Sequence, residues 1–142
     1  MARVNFFVED IDFKVPFPRK TSHWIQFVFR KERKHLQELN YIFCSDEYLR
    51  GINKEYLSHT TYTDIVTFDN SESPKAIEGD VFISIDRVKE NAEKYGVSFL
   101  AEFRRVLVHG ALHLMGYADK KPKDKGVMRK KEDTYISLYD KQ

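Results

Sequence analysis

Cysteine is almost absent from this chain, because Cys44 is the only one. A single cysteine has no partner for a disulfide within the chain, which excludes the small extracellular domains that depend on disulfides. Cys44 ends the apolar run of residues 41–44, so we expect its thiol to lie in the core. This cysteine usage is typical of a protein from a reducing compartment.

Long apolar runs are also missing. No stretch approaches the roughly 18 apolar residues that a membrane-spanning helix needs. The first ten residues lack the charged, apolar and small-residue order of an export signal. We therefore expect neither membrane insertion nor export, and we predict that the protein is cytoplasmic.

Linkers and internal repeats are missing as well. The prolines at positions 16, 18, 74 and 122 fall in segments that read as connections, and no low-complexity or Gly/Ser-rich stretch divides the chain. With 142 residues, of which 42% are hydrophobic, the chain can bury a substantial core. We expect a single domain over residues 1–142.

The most informative segment that is present runs from residue 109 to residue 119. His109 and His113 are four residues apart, which places both imidazoles on one face of a helix. Gly116 can end that helix in a left-handed conformation and let Asp119 return over the two rings as a third ligand. Three ligands leave one coordination position open, which is typical of a catalytic zinc site. We expect one ion per chain, zinc or another divalent transition metal.

A second interpretation treats both histidines as core residues with satisfied hydrogen bonds. The helix that carries them has an apolar stripe at helical spacing and is therefore expected to be central. The stripe consists of Leu100, Phe103, Leu107, Ala111 and Leu114. Two buried rings without partners would cost free energy, which favours the metal interpretation.

The histidine spacing also occurs in the metzincin peptidases, where a glutamate follows the first histidine and serves as general base. Gly110 occupies that position here. A peptidase of that design would lack its proton acceptor, so the motif favours a metal hydrolase with another substrate.

Basic residues are clustered although the net charge is only +2, which is too small to indicate a nucleic-acid partner. The cluster that follows the histidine motif either rims the metal site and attracts phosphate, or forms a solvated face that Asp124, Glu132 and Asp133 partly balance. The pattern alone leaves both alternatives open. One cluster follows the histidine motif and the other lies near residue 30: Lys120, Lys121, Lys123, Lys125, Arg129, Lys130 and Lys131, then Arg30, Lys31, Arg33 and Lys34.

Hydrophobic periodicity predicts an α+β fold with a small mixed four-stranded sheet, helices packed mainly on one face and a central metal-binding helix. Ser45, Asp86 and Ser98 are expected to cap helices, and Gly96 is expected to end one. Residues 70–78 read as a polar loop. Strands are predicted at 4–8, 39–44, 65–68 and 80–85, and helices from 18 through 29, 45–56, 86–96, from 98 through the histidine motif, and 125–138.

The histidine block and two upstream blocks resemble the YbeY-type bacterial endoribonucleases, also called rRNA maturation factors. The blocks are His109 to Tyr117, residues 63–68 preceded by Asn53 and Tyr56, and residues 79–83. The resemblance implies a metal-dependent, single-strand-specific endoribonuclease that acts in ribosomal RNA processing and ribosome quality control. Its partners would be single-stranded RNA and the small ribosomal subunit. The cleavage would mature the 3′ end of the small-subunit RNA.

The chain departs from this family at two positions. The family usually has a third histidine where Asp119 stands, and a carboxylate is also a legitimate zinc ligand. The family tends to carry an arginine where Leu57 stands, so that role cannot be transferred. His59 and Arg87 are candidates for the missing substrate-binding cation, while Asp64 is expected to anchor its loop through backbone amides.

Two other functions remain compatible with the sequence. A metallopeptidase would use the same ligand spacing, and Gly110 opposes it. A non-catalytic ribosome assembly factor would use the metal to hold the fold and the basic surface to bind the ribosome. The replacement of the family arginine by Leu57 makes this second alternative more credible.

Overall fold

The computed structural model of the protein describes residues 2–57 and 64–142. Its described part contains four strands, five α-helices and a short 3₁₀ helix. Their order is β1 (Arg3–Val8), α1 (Pro18–Lys31), β2 (Leu36–Cys44), α2 (Asp46–Leu57), β3 (Ile65–Asp69), β4 (Ile77–Ser84), α3 (Ile85–Tyr95), α4 (Phe99–Leu114), α5 (Pro122–Ser137) and the 3₁₀ helix Tyr139–Lys141. None of these helices is long and apolar enough to cross a membrane.

The strands form one mixed sheet in the order β1-β2-β4-β3. β1 and β4 run parallel to β2, and β3 runs antiparallel to β4. Strand β4 begins at Ile77, three residues before its predicted start, because Leu36 of β2 pairs with Ile77 and Asp69 of β3 pairs with Gly79. Ladder partners distant in sequence therefore extend this strand into the predicted polar loop.

Helices cover the two faces of the sheet unequally, as the sequence predicts. One face packs into the main core through residues such as Tyr41 and Val81, and buried side chains of α1, α3, α4 and α5 belong to that core. Only α2 packs on the opposite face of the described sheet, where Leu49 meets Cys44 and Val66. Cys44 is fully buried, and burial raises the pKa of its thiol to about 12, which confirms a core role.

Helix α4 crosses the centre of the main core, and its N-terminus is capped by Ser98 as predicted. The phenol of Tyr41 donates a hydrogen bond of 2.7 Å to the carbonyl of Leu107 and ties the helix to β2. Gly110 faces the sheet, because a Cβ at this position would lie 2.9 Å from both Ile65 Cδ1 and Val81 Cγ1. The close approach of α4 to β3 and β4 thus explains the glycine.

The caps of α2 and α3 differ in part from the prediction. Ser45 accepts a hydrogen bond from the amide of Tyr48 and caps α2 as expected. Ser84, not Asp86, caps α3 by accepting from the amide of Arg87. The carboxylate of Asp86 instead accepts from the amide of Asp46 at the start of α2, because the N-termini of these two helices meet after β2 and β4. Gly96 ends α3 with a φ of +67°.

Candidate metal centre

Three of the predicted site residues lie together at the end of α4. His109 and His113 project from successive turns of the helix, and their Nε2 atoms lie 3.2 and 3.3 Å from Oδ2 of Asp119. Within residues 2–57 and 64–142 this is the only group of three histidine, cysteine or acidic side chains with potential ligand atoms this close. The three side chains are 22, 31 and 32% exposed, so the group opens to solvent on one side.

The turn after α4 brings Asp119 back to the histidines. The amide of Tyr117 donates a hydrogen bond of 3.1 Å to the carbonyl of Leu112, and Gly116 adopts a φ of +107°. A residue with a side chain rarely adopts this conformation, so glycine permits the reversal. The predicted role of Gly116 is confirmed.

The donor set fits a divalent transition metal. Two bonds of about 2.0–2.1 Å that meet at a tetrahedral angle separate their ligand atoms by about 3.4 Å. The two distances from Asp119 Oδ2 to the imidazoles, 3.2 and 3.3 Å, are close to that separation. Two imidazole nitrogens and one carboxylate oxygen are ordinary zinc ligands.

A buried carboxylate behind His109 completes the arrangement. Oε2 of Glu132 lies 2.7 Å from Nδ1 of His109, and Glu132 is only 4% exposed. Burial of the His109 ring opposes its protonation, but the hydrogen bond and negative charge of Glu132 outweigh burial and raise the pKa of His109. A proton on Nδ1 leaves the Nε2 lone pair free to bind a cation.

The interpretation of Glu132 as a balancing charge on a solvated face is therefore wrong. Helix α5 turns this side chain toward α4, where Nη1 of Arg105 lies 2.8 Å from Oε1 of Glu132. Nη2 of the same arginine lies 2.7 Å from Oδ1 of Asp133. Sequence reasoning missed both Glu132 and Arg105. The available signal was the spacing of Arg105, His109 and His113, which repeats every four residues along one helix face.

A second buried carboxylate holds the turn that follows Gly116. Glu32, at the end of α1, accepts hydrogen bonds from the phenols of Tyr117 and Tyr135 and from Lys131 Nζ at 3.0 Å. These three hydrogen bonds outweigh burial and lower the pKa of Glu32. The turn, α1 and α5 are thus joined at one carboxylate, which fixes the path of the chain toward Asp119.

A cavity of about 340 Å³ adjoins the histidine group. It lies between α3, α4 and α5. Asp64 lines it and is partly buried, and the loss of solvent around its carboxyl raises the pKa of that group. The sequence predicted that Asp64 anchors its loop, and it did not predict that Asp64 lines a cavity. The other lining residues are Asn91, Tyr95, Glu102, Arg105, Val106, His109, Asp119, Lys125, Met128, Arg129 and Glu132.

Some residues of the basic cluster after the histidine motif rim the candidate site, and others lie on a solvated face. Lys125 and Arg129 line the cavity beside the histidine group. Lys131 pairs with Glu32 at 3.0 Å. The side chains of Lys120, Lys121 and Lys123 are exposed. Only part of the cluster therefore rims the candidate site.

The two candidate substrate cations remain predictions. Nη2 of Arg87 lies 2.7 Å from Oδ2 of Asp46, and Nη1 lies 3.4 Å from Glu90. Arg87 is therefore engaged in ion pairs at the start of α3 rather than on the cavity wall. His59 and Thr63 lie outside the described residues.

Comparison with known proteins gives the family. The family model described as "Endoribonuclease YbeY" matches residues 6–140. A Cytophaga hutchinsonii protein named endoribonuclease YbeY is 51% identical over 95% of this chain and 94% of its own length. One of the same name from Amoebophilus asiaticus is 46% identical over 95% of this chain and 92% of its own.

A solved structure supports the fold. The solution structure of a Thermotoga maritima protein superposes with a TM-score of 0.66 at 22% identity, and the match covers 96% of this chain and 89% of that one. The likeness shows a shared fold. With the family match and the identities above, the chain belongs to the YbeY endoribonuclease family.

Proposed function

We propose that this protein is a metal-dependent endoribonuclease that cleaves single-stranded RNA in ribosomal RNA processing. The observation that carries the proposal is the convergence of His109, His113 and Asp119 beside a cavity rimmed by cations. Membership of a family whose members are named endoribonucleases supports RNA as the substrate.

Zinc is the proposed ion, with His109, His113 and Asp119 as its ligands. The nitrogen and oxygen donors and the spacing around Asp119 support this choice. When bound, the ion supplies Lewis-acid chemistry to a phosphate oxygen and to water. Glu132 holds the His109 ring in orientation through Nδ1.

The cations on the cavity wall would hold the RNA backbone. Lys125 and Arg129 are exposed, and neither forms an ion pair with another described residue. Both are therefore available to contact phosphate groups next to the scissile one. Exposure of the histidine group on one side lets a flexible single strand approach more easily than a duplex.

The proposed biological substrate is the 3′ end of the small-subunit ribosomal RNA, with the small ribosomal subunit as partner and the cytoplasm as compartment. Ribosome quality control would use the same cleavage. Processing of precursor RNA on isolated small subunits tests this assignment. Unprocessed 3′ ends after incubation with active enzyme would contradict it.

A cleavage assay tests the reaction itself. The metal-free protein and the protein reloaded with zinc are incubated with end-labelled single-stranded RNA and with the matching duplex. We expect cleavage of the single strand by the zinc-loaded protein, its loss in a His109→Ala, His113→Ala double variant, and its retention in His23→Ala, which removes an exposed histidine of α1.

The other outcomes identify the two remaining functions. RNA binding without cleavage by the zinc-loaded protein would support a ribosome assembly factor. Cleavage of a peptide panel with no effect on RNA would support a metallopeptidase. The position of Gly110 opposes that result, because a side chain there would meet Ile65 and Val81 rather than the histidine group.

A further inference from the structure

The cavity beside the histidine group contains polar side chains that the proposed reaction leaves unused. Glu102, in the first turn of α4, is 5% exposed and lines the cavity. Among the described residues, no hydrogen bond or ion pair engages its carboxylate, and the same holds for the amide of Asn91 on α3. No buried side-chain oxygen of the described residues is left without a partner, so the Glu102 oxygens reach the solvent of the cavity, and a ligand with N–H groups would replace that water.

An aromatic ring stands at the same cavity. Tyr95, the last residue of α3, lines the cavity and is nevertheless 58% exposed. Exposed aromatic rings beside cations are the usual stacking platforms for unpaired bases, since every base has an apolar face. Lys125 and Arg129 supply the cations across the cavity on α5.

The distribution of charge sets the direction in which a nucleotide would enter. Lys125 and Arg129 are exposed and form no ion pair with another described residue, whereas Glu102 is buried and Asp64 is partly buried. A phosphate would be repelled by the carboxylates and held by the cations. The base, which is uncharged and carries N–H donors, fits the interior.

We propose that this cavity is a base-binding subsite in which a base of single-stranded RNA stacks on Tyr95 and donates hydrogen bonds to Glu102. The proposal rests on the proposed function and adds base selectivity to it. Guanine matches the carboxylate best, because its N1–H and 2-amino groups present two neighbouring donors to two oxygens. Uracil offers a single donor, and inosine lacks the 2-amino group of guanine.

Binding of uncleavable RNA tests the proposal without metal. Metal-free protein is titrated with 2′-O-methyl oligouridine that contains one guanine, one inosine or neither. We expect the guanine oligonucleotide to bind about tenfold more tightly than the inosine one, as for a good hydrogen-bonded base contact. In Glu102→Gln this ratio should fall to near one, while Glu93→Gln, an exposed carboxylate of α3, should keep it.

The ring is tested separately. Tyr95→Ala should weaken binding of the guanine oligonucleotide about tenfold, and Tyr95→Phe should restore it, because stacking needs only the ring. Phe7→Ala, which removes an exposed aromatic of β1, should leave affinity unchanged. Melting temperatures of the Glu102 and Tyr95 variants establish that each is folded before binding is compared.

Equal affinity for guanine and inosine in the wild type, or an unchanged ratio in Glu102→Gln, would overturn the proposal. The cleavage assay separates this result from failure of the proposed function. If zinc-loaded protein cleaves RNA but shows no base preference, the subsite alone is refuted. If the protein neither binds nor cleaves RNA, both are refuted.

Discussion

Oε2 of Glu132 lies 2.7 Å from Nδ1 of His109, so the last long helix supports a ring of the candidate metal centre. Residue 132 is 23 positions beyond residue 109 and lies on another helix. A carboxylate in this position fixes the tautomer and the orientation of a ligand histidine and increases its basicity.

Replacement of Glu132 by glutamine should weaken metal binding. The amide keeps the size of the side chain but removes the negative charge, so zinc affinity should fall by about 10- to 100-fold. A competition titration with a chromophoric chelator measures this change. Asp133→Asn is the matched control, since Asp133 contacts Arg105 but not the histidines. Equal zinc affinity in Glu132→Gln and the wild type would contradict the supporting role.

The buried carboxylate of Glu32 should make stability depend on acid pH. Its pKa is lowered below the ordinary value of 4.5, because hydrogen bonds from Tyr117, Tyr135 and Lys131 outweigh burial. A lowered pKa in the folded state stabilises the fold above the unfolded pKa, and this stabilisation is lost as pH falls through the folded pKa. Glu32→Gln should therefore cost about 2 kcal/mol of unfolding free energy at neutral pH.

Urea unfolding of the wild type and Glu32→Gln at pH 7 and at pH values below 4.5 tests this prediction. The difference in unfolding free energy should shrink toward acid pH, because the wild-type carboxyl becomes protonated. Tyr117→Phe should show a smaller loss at neutral pH, since it removes one of the three donors. A difference that is constant with pH would show that the charge of Glu32 does not stabilise the fold.

RNA binding should depend less on salt when the charges of the two cavity cations are reversed. Each lost phosphate contact lowers the slope of log affinity against log salt by about 0.7 for a single strand. Lys125→Glu and Arg129→Glu together should remove about two contacts. Lys121→Glu with Lys123→Glu is the matched control, because these exposed lysines do not line the cavity. A larger change in slope for the control pair would show that the RNA backbone contacts Lys121 and Lys123 rather than the cavity cations.

Gly110→Ala should destabilise the protein although alanine favours helices. The new methyl group would lie 2.9 Å from Val81 Cγ1, and Val81 is fixed in β4. Overpacking of this kind costs about 1–3 kcal/mol. Gly126→Ala in α5 has no atom within 4 Å of the added carbon and should stabilise by up to about 1 kcal/mol. Thermal unfolding compares the two, and equal melting temperatures would contradict the packing argument.

Local patterns in the sequence predicted much of the fold and the three potential ligands. Periodicity located the helices, and His109, His113, Gly116 and Asp119 lie within one helix and the turn that follows it. The early start of β4 depends on pairing with β2 and β3, which no local pattern encodes.

The surroundings of the site were harder to predict for the same reason. Glu132 sits among charged residues that are exposed, and only the packing of α5 on α4 turns it inward. Tyr95, Glu102 and Arg129 come from three different helices and meet at one cavity only after those helices pack together. These contacts join elements that are distant in sequence, so local sequence patterns could not predict them.

Metal content of Asp119 variants is the decisive measurement for the metal centre, because Oδ2 of Asp119 lies 3.2 and 3.3 Å from Nε2 of His109 and His113. Elemental analysis after zinc loading should give about one ion per chain for the wild type and Asp119→His, since imidazole is also a good zinc ligand. Asp119→Ala should lose most of the ion, and Asp124→Ala, a carboxylate in the first turn of α5, should retain it. Full zinc content in Asp119→Ala, with loss in Asp124→Ala, would contradict the assignment of the metal centre.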